Sequence, residues 1–234
     1  MLTDIDGFSV LNSIGEDLYI SNNNALTHID GFSALDSIGR GLYIVHNSAL
    51  TDIHGFSALN SIEKILSIGY NSALTNLDGF LALDSLEGTL YIQHNDALTN
   101  LNGLSALNSI GGGLIIYNNS TLTNIDALSA LSSIGQYLSI SSNPILTNLD
   151  GLSTLNSIGS DMAIYENAAL EEFCGLYPVL SGGWTGSYFV VDNLSNPTQA
   201  DIIAGGPCTL DPVQLIADLL AVGTLTRQGE CTKQ

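Results

Sequence analysis

Leu2, Leu26, Leu50, Leu74, Leu98, Leu122, Leu146 and Leu170 stand 24 residues apart without an insertion. A fixed period of this length is the signature of a stacked array, in which each repeat is one supersecondary unit lying on the next. Other columns keep the same register. Ile5, Ile29, Ile53, Leu77, Leu101, Ile125 and Leu149 form one, and Phe8, Phe32, Phe56, Phe80, Leu104, Leu128 and Leu152 another. Leu11 and Ile14 each start a further apolar column, and the pair Leu18 and Ile20 recurs as far as Met162 and Ile164. That makes seven apolar positions per repeat. Each contributes about 1.5–3 kcal/mol on burial, yet no single repeat can enclose its own apolar face, so stability must come from neighbours.

Within each repeat the Leu-x-Ile spacing has the period of two that sends both side chains to one side of a strand and the residue between them to the other. Leu42 and Ile44 are expected to point inward, Tyr43 and Val45 outward. Three residues after the Ile comes a constant asparagine: Asn23, Asn47, Asn71, Asn95, Asn119, Asn143 and Asn167. The chain must bend there, and an amide can satisfy backbone groups of the bend and of the adjacent repeat, so these Asn are read as structural. Gly7, Gly31, Gly55, Gly79, Gly103 and Gly151 follow mostly Asp or Asn and read as turn glycines requiring a permissive backbone, with Ala127 as the exception in that column.

The frame L-x-I-x-x-N-x-x-L resembles a leucine-rich repeat, and most closely the receptor L-domain variant built from L-T-x-[IL]-[DN]-G-[FL]-S-A-L-x-S-I-G, as in bacterial and fungal cell-wall proteins. The match covers residues 1 to about 180. The resemblance implies an all-β, right-handed solenoid at the cell surface that binds proteins or glycans and carries out no chemistry. Lys64, Ile65 and Leu66 depart from the Gly-rich bend usual before a strand, and Ser67 stands where Tyr is common.

Against that constant frame the outward positions vary. Tyr19, Tyr43 and Tyr91 share one column, Val45, Gln93, Tyr117 and Tyr165 the next, and Asn22, His46, Tyr70 and His94 lie just beyond. Tyrosine offers a large contact area with a polar tip at low entropic cost, and His adds hydrogen bonding. Tyr43, His46, Tyr70, Tyr91, His94 and Tyr117 are therefore the expected ligand contacts. The competing reading is a stacked aromatic ladder that only stabilises the sheet. His46 and His94 have no acidic or Cys pattern near them in sequence that argues for metal binding or catalysis.

Thr3, Thr27, Thr51, Thr75, Thr99, Thr123 and Thr147 form a regular file of the kind that ice-binding solenoids use. The neighbouring column mixes Asp, His and Asn instead of repeating Thr, which argues against that use. Asp4, Asp6, Asp30, Asp52, Asp78, Asp126 and Asp150 alternate with Asn and His, a substitution pattern that a charged calcium shell tolerates poorly. They read as turn caps, and neither metal nor cofactor is expected. Gly111, Gly112 and Gly113 are not followed by a helix and make no phosphate loop.

Four Lys and Arg against 23 Asp and Glu give a formal net charge of -19, which repels nucleic acid and anionic lipid headgroups. No apolar run approaches the ~18 residues of a membrane-spanning helix, and the opening MLTDIDGF lacks the basic and apolar regions of a secretory signal. The chain is then cytosolic, or an exported protein whose start is missing; the resemblance favours an extracellular or cell-surface location. Two units are expected: a repeat region over 1–170 and a C-terminal cap over 171–234. Phe173, Leu176, Trp184, Tyr188 and Phe189 are expected to shield the last repeat, and a short helix is expected near 211–222, from Asp211 as N-cap to Gly223 as stop. It belongs either to the cap or to a following module. The three Cys all lie in this cap; Cys174 is expected to pair with Cys208, with Cys208 to Cys231 as the main alternative, in an oxidising compartment.

Three functions are compatible with these features. One is a non-catalytic surface recognition or adhesion module for a protein or glycan. The others are a structural subunit that self-associates end to end through its N-terminal coil, where Leu2 enters the repeat without a cap, and an ice-binding protein.

Overall fold

The computed structural model describes residues 1–207, and it is built mostly from parallel β-sheets with a few short helices. One strand per repeat joins an eight-stranded sheet, beginning with Leu18–Ser21, Gly41–Val45 and Ile65–Gly69 and running to Met162–Tyr165 and Tyr188–Val191. The register is that of the sequence columns: Leu42 pairs with Leu18 and Leu66, and Ile44 with Ile20 and Ile68. Two-residue strands such as Ser37–Ile38 and Ser109–Ile110 form a second, seven-stranded parallel sheet on another side of the repeat. This arrangement is of the solenoid kind, with every long strand paired to its counterpart one repeat away.

The apolar columns form one core. From the second repeat onward their residues are at most 5% exposed, whereas in the first repeat Phe8 is 51% exposed and Leu2 48%. Phe8, Phe32, Phe56 and Phe80 stack ring on ring at 5.1 to 5.5 Å between centroids.

The asparagine column is a buried ladder. Each side chain joins two neighbours: Asn95 Nδ2 donates to Ile68 O at 3.0 Å, and its Oδ1 accepts from Asn71 N at 3.3 Å. The pattern repeats from Asn47 to Asn167 and continues at Asn193, whose Nδ2 donates to Ile164 O at 2.9 Å. Asn193 lies 26 residues beyond Asn167, so the repeat persists past Leu170 with two extra residues.

The glycine column has a different cause from the one its sequence suggests. Among the described glycines only Gly183 and Gly206 have positive φ. What Gly103 supplies is room: a Cβ there would lie 1.6 Å from Leu77 O of the preceding repeat. Close approach of backbones, not left-handed geometry, favours glycine in this column, with Ala127 the one larger residue it admits.

At the C-terminal end Phe173, Leu176, Val179, Leu180 and Ile202 are buried, and Trp184 and Tyr188 pack against the core. Phe189 departs from expectation: it is 52% exposed and meets Tyr165 edge-on at 6.0 Å, because it occupies the outward column of its strand. Among the described residues two short α-helices lie here, Tyr177–Ser181 and Gln199–Gly205, the second opened by a capping box between Thr198 and Asp201. The helix expected near 211–222, Cys208 and Cys231 lie outside the described residues.

Candidate functional site

On the outward side of the long-strand sheet, the residue before each ladder asparagine has positive φ: Asn22, His46, Tyr70, His94, Asn118, Ser142, Glu166 and Asp192, all between 54° and 62°. The chain leaves the strand and must bend while the next residue's amide enters the ladder. Asn and Asp tolerate this left-handed conformation by local hydrogen bonding, but for a bulky Tyr it is an outlier costing about 1–2 kcal/mol. Tyr70 holds it, 41% exposed.

The three rings in this column stack. His46 and Tyr70 lie 4.4 Å apart with planes 13° off parallel, Tyr70 and His94 4.3 Å apart at 15°. Tyr117 closes the group edge-on to His94 at 5.0 Å and 87°. Asn118 Nδ2 lies 2.6 Å from His94 Nδ1, so the amide holds the ring that terminates the stack. Four of the six expected contact residues thus form one cluster. Both faces of Tyr70 are covered by its neighbours, so Tyr70 offers its ring edge and phenol rather than a bare aromatic platform.

Tyr43 and Tyr91 sit apart from that stack, two strands from each other with Ser67 between them. Tyr43 stacks on Tyr19 at 4.4 Å, and its ring covers Gly41, where a Cβ would fall 2.6 Å from Tyr43 Cε2. Burial, with Tyr19 and Asp17 nearby, raises the Tyr43 phenol above its ordinary pKa. A hydrogen bond with Tyr137, then burial, raises that of Tyr91. Both phenols stay neutral through the physiological range. Tyr137 is a member of this surface that the outward-column pattern misses, since it precedes the inward Leu138; its ring lies over Gly113. The sequence offers only a weak signal for it, a Tyr in a column that holds Asp17, Gly41, Ile65, Thr89 and Gly113 in earlier repeats.

The threonine file faces another edge. Thr27, Thr51, Thr75 and Thr123 each donate the hydroxyl hydrogen to the carbonyl of the Thr one repeat earlier, at 3.0 to 3.2 Å. These donors are turned into the backbone rather than outward. A shallow groove of about 420 Å³ follows the short-strand sheet, lined by Ser109, Ser133, Ser157, Gly111, Gly135 and neighbouring residues. Among the described residues no helix is long and apolar enough to cross a membrane.

Cys174 is buried, with Sγ 3.5 Å from Asp150 Oδ1. Compared with protein families, with curated proteins and with solved structures, the chain finds no match.

Proposed function

We propose that this chain is a non-catalytic recognition or adhesion module, displayed outside the cell or on its surface, with a right-handed solenoid of the leucine-rich, receptor L-domain kind. The observation that carries the reading is the His46, Tyr70 and His94 stack held in a left-handed backbone column. Strain of this sort persists where the surroundings enforce it, and it concentrates at binding surfaces. The edges of the stack suit a ligand rich in hydrogen-bonding groups, a glycan or a polar protein surface. The inward-turned threonine hydroxyls favour this reading over ice binding.

The test is a binding screen of the chain against arrayed glycans and cell-surface proteins, repeated with Tyr70→Gly. Glycine relieves the backbone strain while losing two ring stacks of about 0.5–1.5 kcal/mol each, so folding stability should move by no more than about 1–2 kcal/mol. Affinity should fall by about 30-fold, as for a residue at the centre of an interface. Unchanged affinity in Tyr70→Gly and His94→Ala would move the site elsewhere. The proposed Cys174 to Cys208 bridge belongs to the same reading, and free thiols on non-reducing peptide mapping would remove the argument for export.

A second reading, end-to-end assembly through the first repeat, is favoured by the exposed Leu2, Phe8 and Val10. Light scattering that found polymers far above 24.6 kDa would support it.

A further inference from the structure

Two columns beside the threonine file change character along the chain. In later repeats the first holds Asn76, Asn100, Asn124 and Asn148, and each side chain accepts a hydrogen bond from the backbone N–H two residues on. The second and third repeats have His28 with Asp30, and Asp52 with His54. His28 and Asp52 are parallel bridge partners, so the four side chains alternate on adjacent rungs as His, Asp over Asp, His. His54 Nδ1 lies 2.9 Å from Asp52 Oδ1 and His28 Nε2 3.3 Å from Asp52 Oδ2. Ligand atoms of Asp30, Asp52 and His54 all fall within 4.8 Å of one another.

His28 is held toward the same carboxylate. Its Nδ1 lies 2.8 Å from Thr27 Oγ1, which also lies 3.0 Å from Thr3 O. That contact sets the orientation of the His28 ring. The other ring nitrogen, Nε2, is thereby aimed at the carboxylate oxygen Asp52 Oδ2 at 3.3 Å.

We propose that His28, Asp30, Asp52 and His54 form a surface site for a divalent transition-metal ion of zinc's class. Nitrogen and carboxylate ligands about 2.0–2.1 Å from zinc in a tetrahedron lie roughly 3.3 Å from each other, which is the scale of the separations around Asp52. Calcium takes six to eight oxygens and is disfavoured by two imidazoles. The Thr27 hydroxyl orients His28 as an outer-shell partner does in metal sites. On binding, His54 presents Nδ1 to the ion as the neutral tautomer that carries its hydrogen on Nε2, and the ion takes the place of the contact between His54 and Asp52.

Isothermal titration of the whole chain with zinc chloride, and separately with calcium chloride, tests this. One zinc ion per chain is expected, with affinity falling at least tenfold in His28→Ala and in His54→Ala and unchanged in His46→Ala. Both substituted rings are half exposed or more, so the variants should fold. NMR of the unaltered chain provides a check that needs no variant: zinc should shift the imidazole signals of His28 and His54 and leave those of His46 and His94. No zinc binding at millimolar concentration, equal calcium binding, or shifts confined to His46 and His94 would each overturn the proposal.

Discussion

Asparagine recurs at two places in the repeat, and the two columns behave differently. The buried one is unbroken from Asn23 to Asn193, including the repeat with two extra residues. The partly exposed one is Asn only from residue 76 to residue 148, with Asp4, His28 and Asp52 before it and Glu172 after. Both use the amide to satisfy backbone groups. The buried ladder, however, has no water to substitute for a lost partner, whereas at the exposed corner the backbone has an alternative. In the fourth repeat Asp78 N donates to Asn76 Oδ1, and a 3-10 turn Asp78–Phe80 follows. In the second, Asp30 N donates instead to Ile5 O of the preceding repeat at 2.9 Å, and the corner is a two-residue strand, His28–Ile29. Burial fixes the residue in one column; exposure leaves the other free to take up another use.

The largest effect is expected from breaking the buried ladder. Asn95→Ala leaves Ile68 O and Asn71 N without the partners they have at 3.0 and 3.3 Å. Two buried unsatisfied backbone groups at about 1–3 kcal/mol each give an expected loss of about 3–5 kcal/mol in chemical denaturation. The matched change five residues later, Asn100→Ala, removes the 3.0 Å bond from Asn102 N at a solvated corner and should cost about 1 kcal/mol or less. Equal losses in the two variants would abolish the distinction drawn between the columns.

These contrasts also mark how far the sequence can be read. The core columns and the ladder are legible because one residue type recurs at one spacing and the cause, burial, acts equally in every repeat. The left-handed column is not, since Asn22, His46, Tyr70, Ser142 and Glu166 share a backbone conformation without sharing a chemistry. Outward pointing of the six candidate contacts follows from the period of two, but the parting of Tyr43 and Tyr91 from the stack depends on ring geometry. The strand Tyr188–Val191 was hidden because two extra residues break the alignment at the point where the repeat consensus also ends. The helix at Gln199–Gly205 had a signal, the Thr198 and Asp201 capping pair, that the eye passes over beside the stronger apolar pattern downstream.

A smaller effect is expected in the column of Asp78, Asn102, Asp126 and Asp150. Burial first, and then the charge of Asp126, raises the carboxyl of Asp150 above its ordinary pKa. The folded state therefore disfavours the ionised form, and wild-type stability falls as pH rises through that raised value. Asp150→Asn removes the penalty, and Asn102 already stands in the same column two repeats earlier. The variant should be more stable near pH 7 by less than about 1 kcal/mol, half-burial leaving much of the charge screened. The difference in melting temperature should shrink on acidification, once the wild-type carboxyl is protonated too. A gain that persists unchanged at pH 3 would assign it to packing instead of charge.

The smallest effect is expected from converting the early corner to the later pattern, with His28→Asn and Asp52→Asn together. Asp30 N would then have two acceptors in reach, the new amide and Ile5 O, which it already uses. Exchanging one for the other keeps the donor satisfied, and both side chains reach solvent, so metal-free stability should change by no more than about 0.5 kcal/mol. Zinc affinity, by contrast, should be lost, because two of the four proposed ligands are gone. A fall in metal-free stability above about 1 kcal/mol would mean that the contacts of Asp52 with His28 and His54 hold the corner together by themselves. The early repeats would then differ from the later ones for structural reasons, and the exposed column would be as constrained as the buried one.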